Sequence, residues 1–355
     1  PEKRQFFLQN SDLFSNYGAI RTITPFFTRR IGLARDPEGN LIENDIIGGV
    51  RLSGKISTGL KIGFLSMLTN EDKRNEIPSN LNTVLSLNQK LFNRSALKFL
   101  FINRETTKDY DFVDRNDKFN RLIGLEYDLN SIDNVWNGTF FTYNSFSPLK
   151  KENGFSGGVR VKKETREQEI SFEYSYLGDD FRSDLGILRR IGVSKFCPYY
   201  AYKIYPKKGK VNYHRLAYYH WLWFKLNSST ENILENNFLT SFRTVYKNQS
   251  LLEFRLYNAN EYLPKNFDPT GINPDSPLQG GKTYQSRIFE INFSSNPAKD
   301  FYFVVAQNYG KFYDGTKYSF ENSFFLRFQP KLLTSIKLNY DQINLNHLDK
   351  TAKLW

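Results

Sequence analysis

Ile170-Ser171-Phe172-Glu173-Tyr174-Ser175-Tyr176 decides the fold: every other residue is large and apolar, and the residues between are Ser, Glu and Ser. Side chains two apart on an extended chain share a face, so the stretch predicts a strand with one apolar and one polar side. The same alternation recurs outward in both directions. Leu252, Phe254 and Leu256 alternate with Glu253, Arg255 and Tyr257, and Phe320, Asn322, Phe324, Leu326 and Phe328 alternate with Glu321, Ser323, Phe325 and Arg327. Thr334, Ile336, Leu338 and Tyr340 alternate with Ser335, Lys337, Asn339 and Asp341. Toward the N-terminus, Ile123, Leu125, Tyr127 and Leu129 alternate with Gly124, Glu126 and Asp128, and Val50, Leu52 and Ile56 with Arg51, Ser53 and Lys55.

Strands are predicted over 46–57, 59–69, 82–92, 94–104, 118–129, 135–146, 154–164, 167–178, 187–206, 211–227, 234–247, 250–262, 281–295, 299–311, 317–329 and 332–343, with a further one starting near Thr351. A soluble sandwich or propeller also alternates, but its strands average about five or six residues. Runs such as 211–227 are too long for that, and they suit a membrane strand of about 9–11 residues that projects beyond the bilayer.

The connections carry the second signal. Odd-numbered runs lead to even ones through Ser57-Thr58-Gly59, Asn93, Glu164 to Glu167, Pro206 to Lys210, Asn248-Gln249, Asn296-Pro297-Ala298 and Pro330-Lys331. Even-numbered runs lead to odd ones through mostly longer polar stretches at 70–80, 105–117, 178–186, 263–280 and 344–350. Hairpins tight on one side and long on the other predict an all-β fold, a transmembrane antiparallel β-barrel of the outer-membrane type with about sixteen or more strands. The short turns are then periplasmic and the long loops extracellular.

Composition agrees. Aromatics reach 16%, with 32 Phe and 22 Tyr, which favours strands and suits aromatic girdles at a membrane interface. A mean hydropathy of −0.56 does not exclude a membrane protein, because half of a barrel's strand residues face a polar lumen. No apolar run is long enough for a transmembrane helix. The single Cys197 excludes an intramolecular disulfide framework and a cysteine zinc cluster. The net charge of +12 would suggest nucleic acid in a soluble domain, but here Lys and Arg are dispersed through the strands, so no nucleic-acid partner is expected. Anionic headgroups at the rim, an anionic solute in the lumen, or a generally basic solvated surface account for it instead.

With apolar residues assigned to lipid, Arg51, Lys55, Glu126, Asp128, Glu173, Arg243, Glu253, Arg255, Glu290, Glu321, Arg327, Lys337 and Asp341 point inward. Both signs are interspersed, which predicts cross-strand ion pairs that rigidify the wall. Residues 1–44 differ: they lack sustained alternation and mix aromatics with paired basic residues, as in Pro25-Phe26-Phe27-Thr28-Arg29-Arg30. Two domains are therefore expected: 1–44, a plug-like segment inside the barrel or a loop over its mouth, and 45–355, the barrel itself. As a plug, the segment would bring Arg4, Arg29 and Arg30 to inward carboxylates such as Glu126, Glu173, Glu253 and Glu321, with Arg255 and Arg327 as further lumen contacts. Asp179, Asp180 and Asp184 fall in a predicted extracellular loop.

Pro1-Glu2-Lys3-Arg4-Gln5-Phe6-Phe7-Leu8-Gln9-Asn10, then Phe26-Phe27-Thr28-Arg29-Arg30-Ile31-Gly32, then Ile47-Gly48-Gly49-Val50-Arg51-Leu52-Ser53-Gly54-Lys55, resemble the motifs of a family of bacterial outer-membrane barrels. Asp180-Phe181-Arg182-Ser183-Asp184-Leu185-Gly186-Ile187-Leu188-Arg189-Arg190 resembles that family's mid-barrel stretch. The family is a domain of unknown function, placed as a rule after a carbohydrate-binding module of the family-nine type. The chain departs from it at Gln5, Gln9 and Asn10, where the family has Pro, Glu and Gly. The resemblance implies an outer-membrane location, lipid and lipopolysaccharide around the wall, and glycans or envelope proteins as partners. It brings no catalytic residues. It also implies that the chain is an incomplete fragment of a larger barrel, its first strands lying upstream of Pro1.

Little else points to chemistry. His214 and His220 share a face of one strand but stand about 20 Å apart along it, too far for one metal. His347 is the only histidine in a predicted loop. No phosphate-binding loop, GxSxG, HExxH or cysteine pair is present. The expected role is structural, transport, or the handling of glycans or partners, with no catalysis, cofactor or metal. Two alternatives are a hydrolase with its site at the barrel rim and a soluble β-rich carbohydrate-binding protein.

Overall fold

The computed structural model describes residues 6, 9–18, 22–149, 154–227, 233–271, 275–348 and 351–355. The fold is all-β, with seventeen strands in one antiparallel sheet. Its helical content among the described residues is slight: a single turn, α1 (Asp12–Ser15), and two 3-10 turns at Thr28–Arg30 and Arg115–Asp117. No described helix is long and apolar enough to cross a membrane, which says nothing of strands. Two compact units are distinguished, residues 1–162 with 173–195, and 163–172 with 196–355.

In the first unit, β1 (Ile23–Thr24) precedes a small hairpin of β2 (Leu33–Arg35) and β3 (Leu41–Glu43). The sheet strands are β4 (Ile46–Lys55), β5 (Leu60–Thr69), β6 (Asn80–Leu91), β7 (Ser95–Thr106), β8 (Phe119–Asn130), β9 (Trp136–Phe146) and β10 (Phe155–Glu164). Each of β4 to β8 pairs antiparallel with the next. The register sorts the two faces. Arg51, Leu65, Val84, Ile102 and Leu122 stand opposite one another in turn, as do Ser53, Gly63, Ser86, Leu100, Gly124 and Tyr143. The reverse face carries Val50, Leu52, Leu81, Leu97, Ile123, Leu125 and Phe140, all exposed.

β11 (Gln168–Leu177), β12 (Ile187–Leu188) and β13 (Val193–Ile204) follow in the chain. In the second unit, β14 (Val211–Lys225), β15 (Ile233–Tyr246), β16 (Leu251–Leu263), β17 (Lys282–Ser294), β18 (Phe301–Phe312), β19 (Gly315–Phe328), β20 (Leu332–Asn344) and β21 (Ala352–Leu354) pair in sequence. One face carries Arg215, Arg243, Glu253, Asn292, Ala306, Glu321 and Asn339 in register, and the other Leu216, Phe242, Phe254, Ile291, Phe289 and Leu338.

One expectation needs correction. The strand expected over 187–206 is broken: Ile187–Leu188 turns aside to pair with Ile23–Thr24, and the sheet strand begins only at Val193. Gly192, at φ +67, supplies the left-handed residue that reverses the chain, and its missing Cβ leaves room for the Asp179 carboxylate. β18 and β19 join through Tyr313-Asp314 alone, with Tyr313 at φ +51.

Candidate functional site

The described part of the N-terminal segment, residues 9–18 and 22–44, packs on the polar face of the first unit. Leu13, Phe14, Tyr17, Ile23, Phe26 and Ile31 are buried there. Gly63 makes room for this: a Cβ at that position would lie 2.8 Å from Phe14 Cζ. Beside it the Tyr17 hydroxyl stands 2.7 Å from Ser86 Oγ and donates to the Phe99 carbonyl at 3.0 Å.

The anchor of this packing is a buried charge cluster. Lys98, 5% exposed, forms ion pairs with Glu126 at 2.7 Å and Asp128 at 3.0 Å. Its ammonium also donates to the Asn16 carbonyl at 2.6 Å and lies 4.8 Å from the centre of the Tyr17 ring. Glu126, 1% exposed, accepts the Gly18 N–H at 2.5 Å and the Tyr143 hydroxyl. Buried charges are costly unless paired and hydrogen-bonded; here the N-terminal segment supplies the donors and acceptors that the strands lack. Further along, Lys195 meets Glu173 at 2.9 Å and Thr22 Oγ1 at 3.3 Å.

A second constellation sits among the long connections 70–79, 107–118 and 178–192. Asp184 accepts from Arg104 Nε at 2.9 Å and from Arg182 Nε at 2.5 Å and Nη2 at 3.0 Å. Its backbone N–H donates to Asn120 Oδ1 at 3.0 Å. Arg182 continues to Asp117 at 2.6 Å, and Arg104 to the Asp117 carbonyl at 2.6 Å and Asn80 Oδ1 at 3.3 Å. Burial pushes the Asp184 carboxyl up, but the Arg104 and Arg182 guanidiniums outweigh it and hold the group below the usual carboxylate range. Burial likewise lowers Arg182, and the Asp184 and Asp117 carboxylates more than reverse it. The N-terminal segment docks on the same loop: Phe27 N–H donates to the Leu185 carbonyl at 2.7 Å, Ser183 Oγ to the Pro25 carbonyl at 2.6 Å, and Arg30 Nε to the Gly186 carbonyl at 3.1 Å. Around these residues opens a cleft of about 450 Å³, lined among others by Arg30, Asn44, Asn82, Arg104, Asp117 and Asp184.

Glu126 and Glu173 lie on the polar face and are paired with Lys98 and Lys195. Arg30 meets the Gly186 carbonyl and Arg29 is exposed, so neither arginine meets a strand carboxylate; two strand lysines fill that role. Arg4 lies outside the described residues. In the second unit, Glu253 binds Arg243 through two hydrogen bonds at 3.0 and 2.9 Å and pairs with Arg255 at 2.7 Å, which continues to Glu290 at 2.8 Å. Glu321 faces Lys337 at 3.7 Å with both side chains exposed, and Arg327 lies over the Tyr302 ring at 4.8 Å. Asp184 is engaged as above, while Asp179 and Asp180 line a neighbouring cleft of about 390 Å³.

Sequence reasoning passed over Lys98, Tyr17, Arg104, Arg182, Asn44 and Asn82. Lys98 was within reach, because it sits between Leu97 and Phe99 on the polar side of β7. Arg104 was not: its partner lies 80 residues away.

Each histidine has a hydrogen-bonding neighbour. His214 Nδ1 lies 2.9 Å from Thr244 Oγ1, and His220 Nε2 2.8 Å from Asn236 Oδ1. His347 Nδ1 lies 2.8 Å from Asp314 Oδ2, with Nε2 3.0 Å from the Ser276 carbonyl. Among the described residues no group of three or more His, Cys, Asp and Glu could hold a metal ion.

Residues 1–348 match the profile of one protein family, described as a domain of unknown function (DUF5916). No curated protein and no solved structure matches the chain.

Proposed function

The chain belongs to the DUF5916 family, and from that premise we propose that it is an outer-membrane protein whose sheet closes as a transmembrane β-barrel around residues 1–44. In this reading it has no catalytic step of its own and handles glycans or envelope partner proteins through its outer loops. One observation carries it: the sheet is apolar and open on one face, polar and paired on the other. Val50 and Leu52 are 62% and 61% exposed, Leu125 47%, Phe289 45% and Leu338 51%. A soluble monomer rarely exposes a contiguous apolar patch beyond a few hundred Å², and here large apolar side chains recur on strand after strand. A hydrocarbon surround removes the conflict, since closed sheets can cross a bilayer with every backbone group satisfied. The opposite face, with its arginine–carboxylate ladders and the N-terminal segment, then becomes an occupied lumen.

Fractionation of cells producing the full-length protein tests this. The protein is expected in the outer-membrane fraction and soluble only with detergent, and planar bilayers should record little steady conductance because the lumen is filled. Recovery as a detergent-free soluble monomer would overturn the reading.

A second reading, a hydrolase at the rim, has the Asp314–His347 contact in its favour. The Nε2 of that ring faces a backbone carbonyl rather than a hydroxyl nucleophile. Ester or peptide hydrolysis lost in His347→Ala or Asp180→Ala would favour this reading over the first.

A further inference from the structure

The cleft between the N-terminal segment and the long loops has an unusual lining. Its four arginines, Arg30, Arg35, Arg104 and Arg182, are matched by four carboxylates, Glu76, Asp114, Asp117 and Asp184, so its formal charge is zero. Three of the guanidiniums are already engaged: Arg104 and Arg182 by Asp184 and Asp117, and Arg30 by the Gly186 carbonyl. An anionic ligand would have to displace those contacts.

Two neutral side chains are not engaged. Asn82, 3% exposed, stands in register between Met67 of β5 and Arg104 of β7. Asn44, 8% exposed, follows β3 and is held by its backbone N–H on the Gly32 carbonyl at 3.0 Å. Both line the cleft, and neither amide group hydrogen-bonds to the protein among the described residues; their polar atoms are not among the sealed, unsatisfied ones and so stay open to the cleft. Amides open to a cleft and unengaged by the protein hydrogen-bond to whatever occupies it, so these two are set to receive something that enters. An apolar molecule would strand both of them. Each amide offers one acceptor and two donors, which complements adjacent hydroxyl groups that both donate and accept.

The remaining wall supplies apolar surface through Ile77, Leu185 and Phe112, whose ring lies 5.0 Å from that of Tyr110. A sugar ring has this mixed character, with hydroxyls at its edge and C–H bonds on its faces. The volume of about 450 Å³ falls in the range of about 300–1,000 Å³ typical of small-molecule pockets, and is far more than one bridging water needs at roughly 30 Å³.

We infer that this cleft is a binding site for a neutral saccharide unit, with the Asn44 and Asn82 amides as its hydrogen-bonding residues. The inference rests on the reading of the long loops as the contact-making side, and names the ligand class they take.

The test titrates cellobiose, maltotriose and chitobiose into the full chain, held in an amine-oxide detergent so that no sugar headgroup competes. Glucuronate, glucosamine and dialanine serve as anionic, cationic and peptide comparators. At least one neutral saccharide is expected to bind saturably, and Asn82→Ala and Asn44→Ala should each weaken it about tenfold while the unfolding midpoint of the free protein stays put. Asn82→Asp, which keeps the shape but adds a charge and removes the donors, should weaken it as much. The proposal falls if no neutral saccharide binds, if the variants bind as well as the parent, or if dialanine or a charged comparator binds better. Fractionation reports separately on the membrane reading, so a soluble chain that still binds sugar through these two amides would sink that reading and leave this one standing.

Discussion

Lys98 holds two carboxylates, a backbone carbonyl and the face of an aromatic ring while almost wholly shielded from water. Removing one partner of such a buried cluster leaves the other charge uncompensated, at about 3–5 kcal/mol. Lys98→Met should therefore lower stability by that order in urea titrations, and open residues 9–18 to proteases. By contrast, Glu321 and Lys337 are 3.7 Å apart with side chains 59% and 60% exposed; water screens such a pair, and Glu321→Gln should change stability by no more than about 1 kcal/mol. Asp184 adds a pH dependence whose sign follows from its lowered carboxyl. The folded state binds that proton less readily than the unfolded chain, so its contribution is complete above the ordinary carboxylate value of about 4. It is lost as pH falls below that value toward the folded one. Hydrogen exchange along 178–192 should accelerate on acidification through that window, and Asp184→Asn should abolish the added dependence.

At the scale of elements, the N-terminal segment and the 178–192 loop are fitted to each other and to β5 through positions without side chains. A Cβ on Gly186 would lie 2.5 Å from the Thr24 carbonyl oxygen and 2.7 Å from that of Pro25. Those are backbone atoms and cannot swing away, so Gly186→Ala should separate β12 from β1 at about 1–3 kcal/mol. Loss of protection at Ile23 and Thr24 in exchange measurements would report it. Gly63→Val is expected to be milder, because its obstacle is the tip of the Phe14 ring, and the sheet pairing of β4 to β6 should survive. Both glycines are plain in the sequence, but nothing local marks them as contact points. The strand pattern was legible in detail: the run expected at 234–247 is β15, Ile233–Tyr246, and that at 332–343 is β20, Leu332–Asn344. The failure at 187–206 arose because apolar Ile187 and Leu188 read as strand wherever they pair, and the partner, Ile23–Thr24, lies in the segment that showed no alternation.

For the whole molecule, the surround of the apolar face is the quantity to test. Leu125 is central in β8 and 47% exposed. On a sheet facing water, Leu125→Arg should shift stability by no more than about 0.5 kcal/mol. Facing the middle of a bilayer, the same change should cost about 2–4 kcal/mol, measurable by refolding into lipid vesicles. The sequence by itself determined that this chain is an antiparallel β protein, where its strands run, and which residues share a face. Alternation and turn chemistry are local, readable within about ten residues. Only the tertiary structure decided what covers the polar face and where a ligand could sit. The Lys98 ammonium and the Asn16 carbonyl are 82 residues apart, and Arg104 and Asp184 are 80 apart. Contacts closed over such distances leave no spacing in the chain to read; they exist only once the sheet has paired and the N-terminal segment has folded against it.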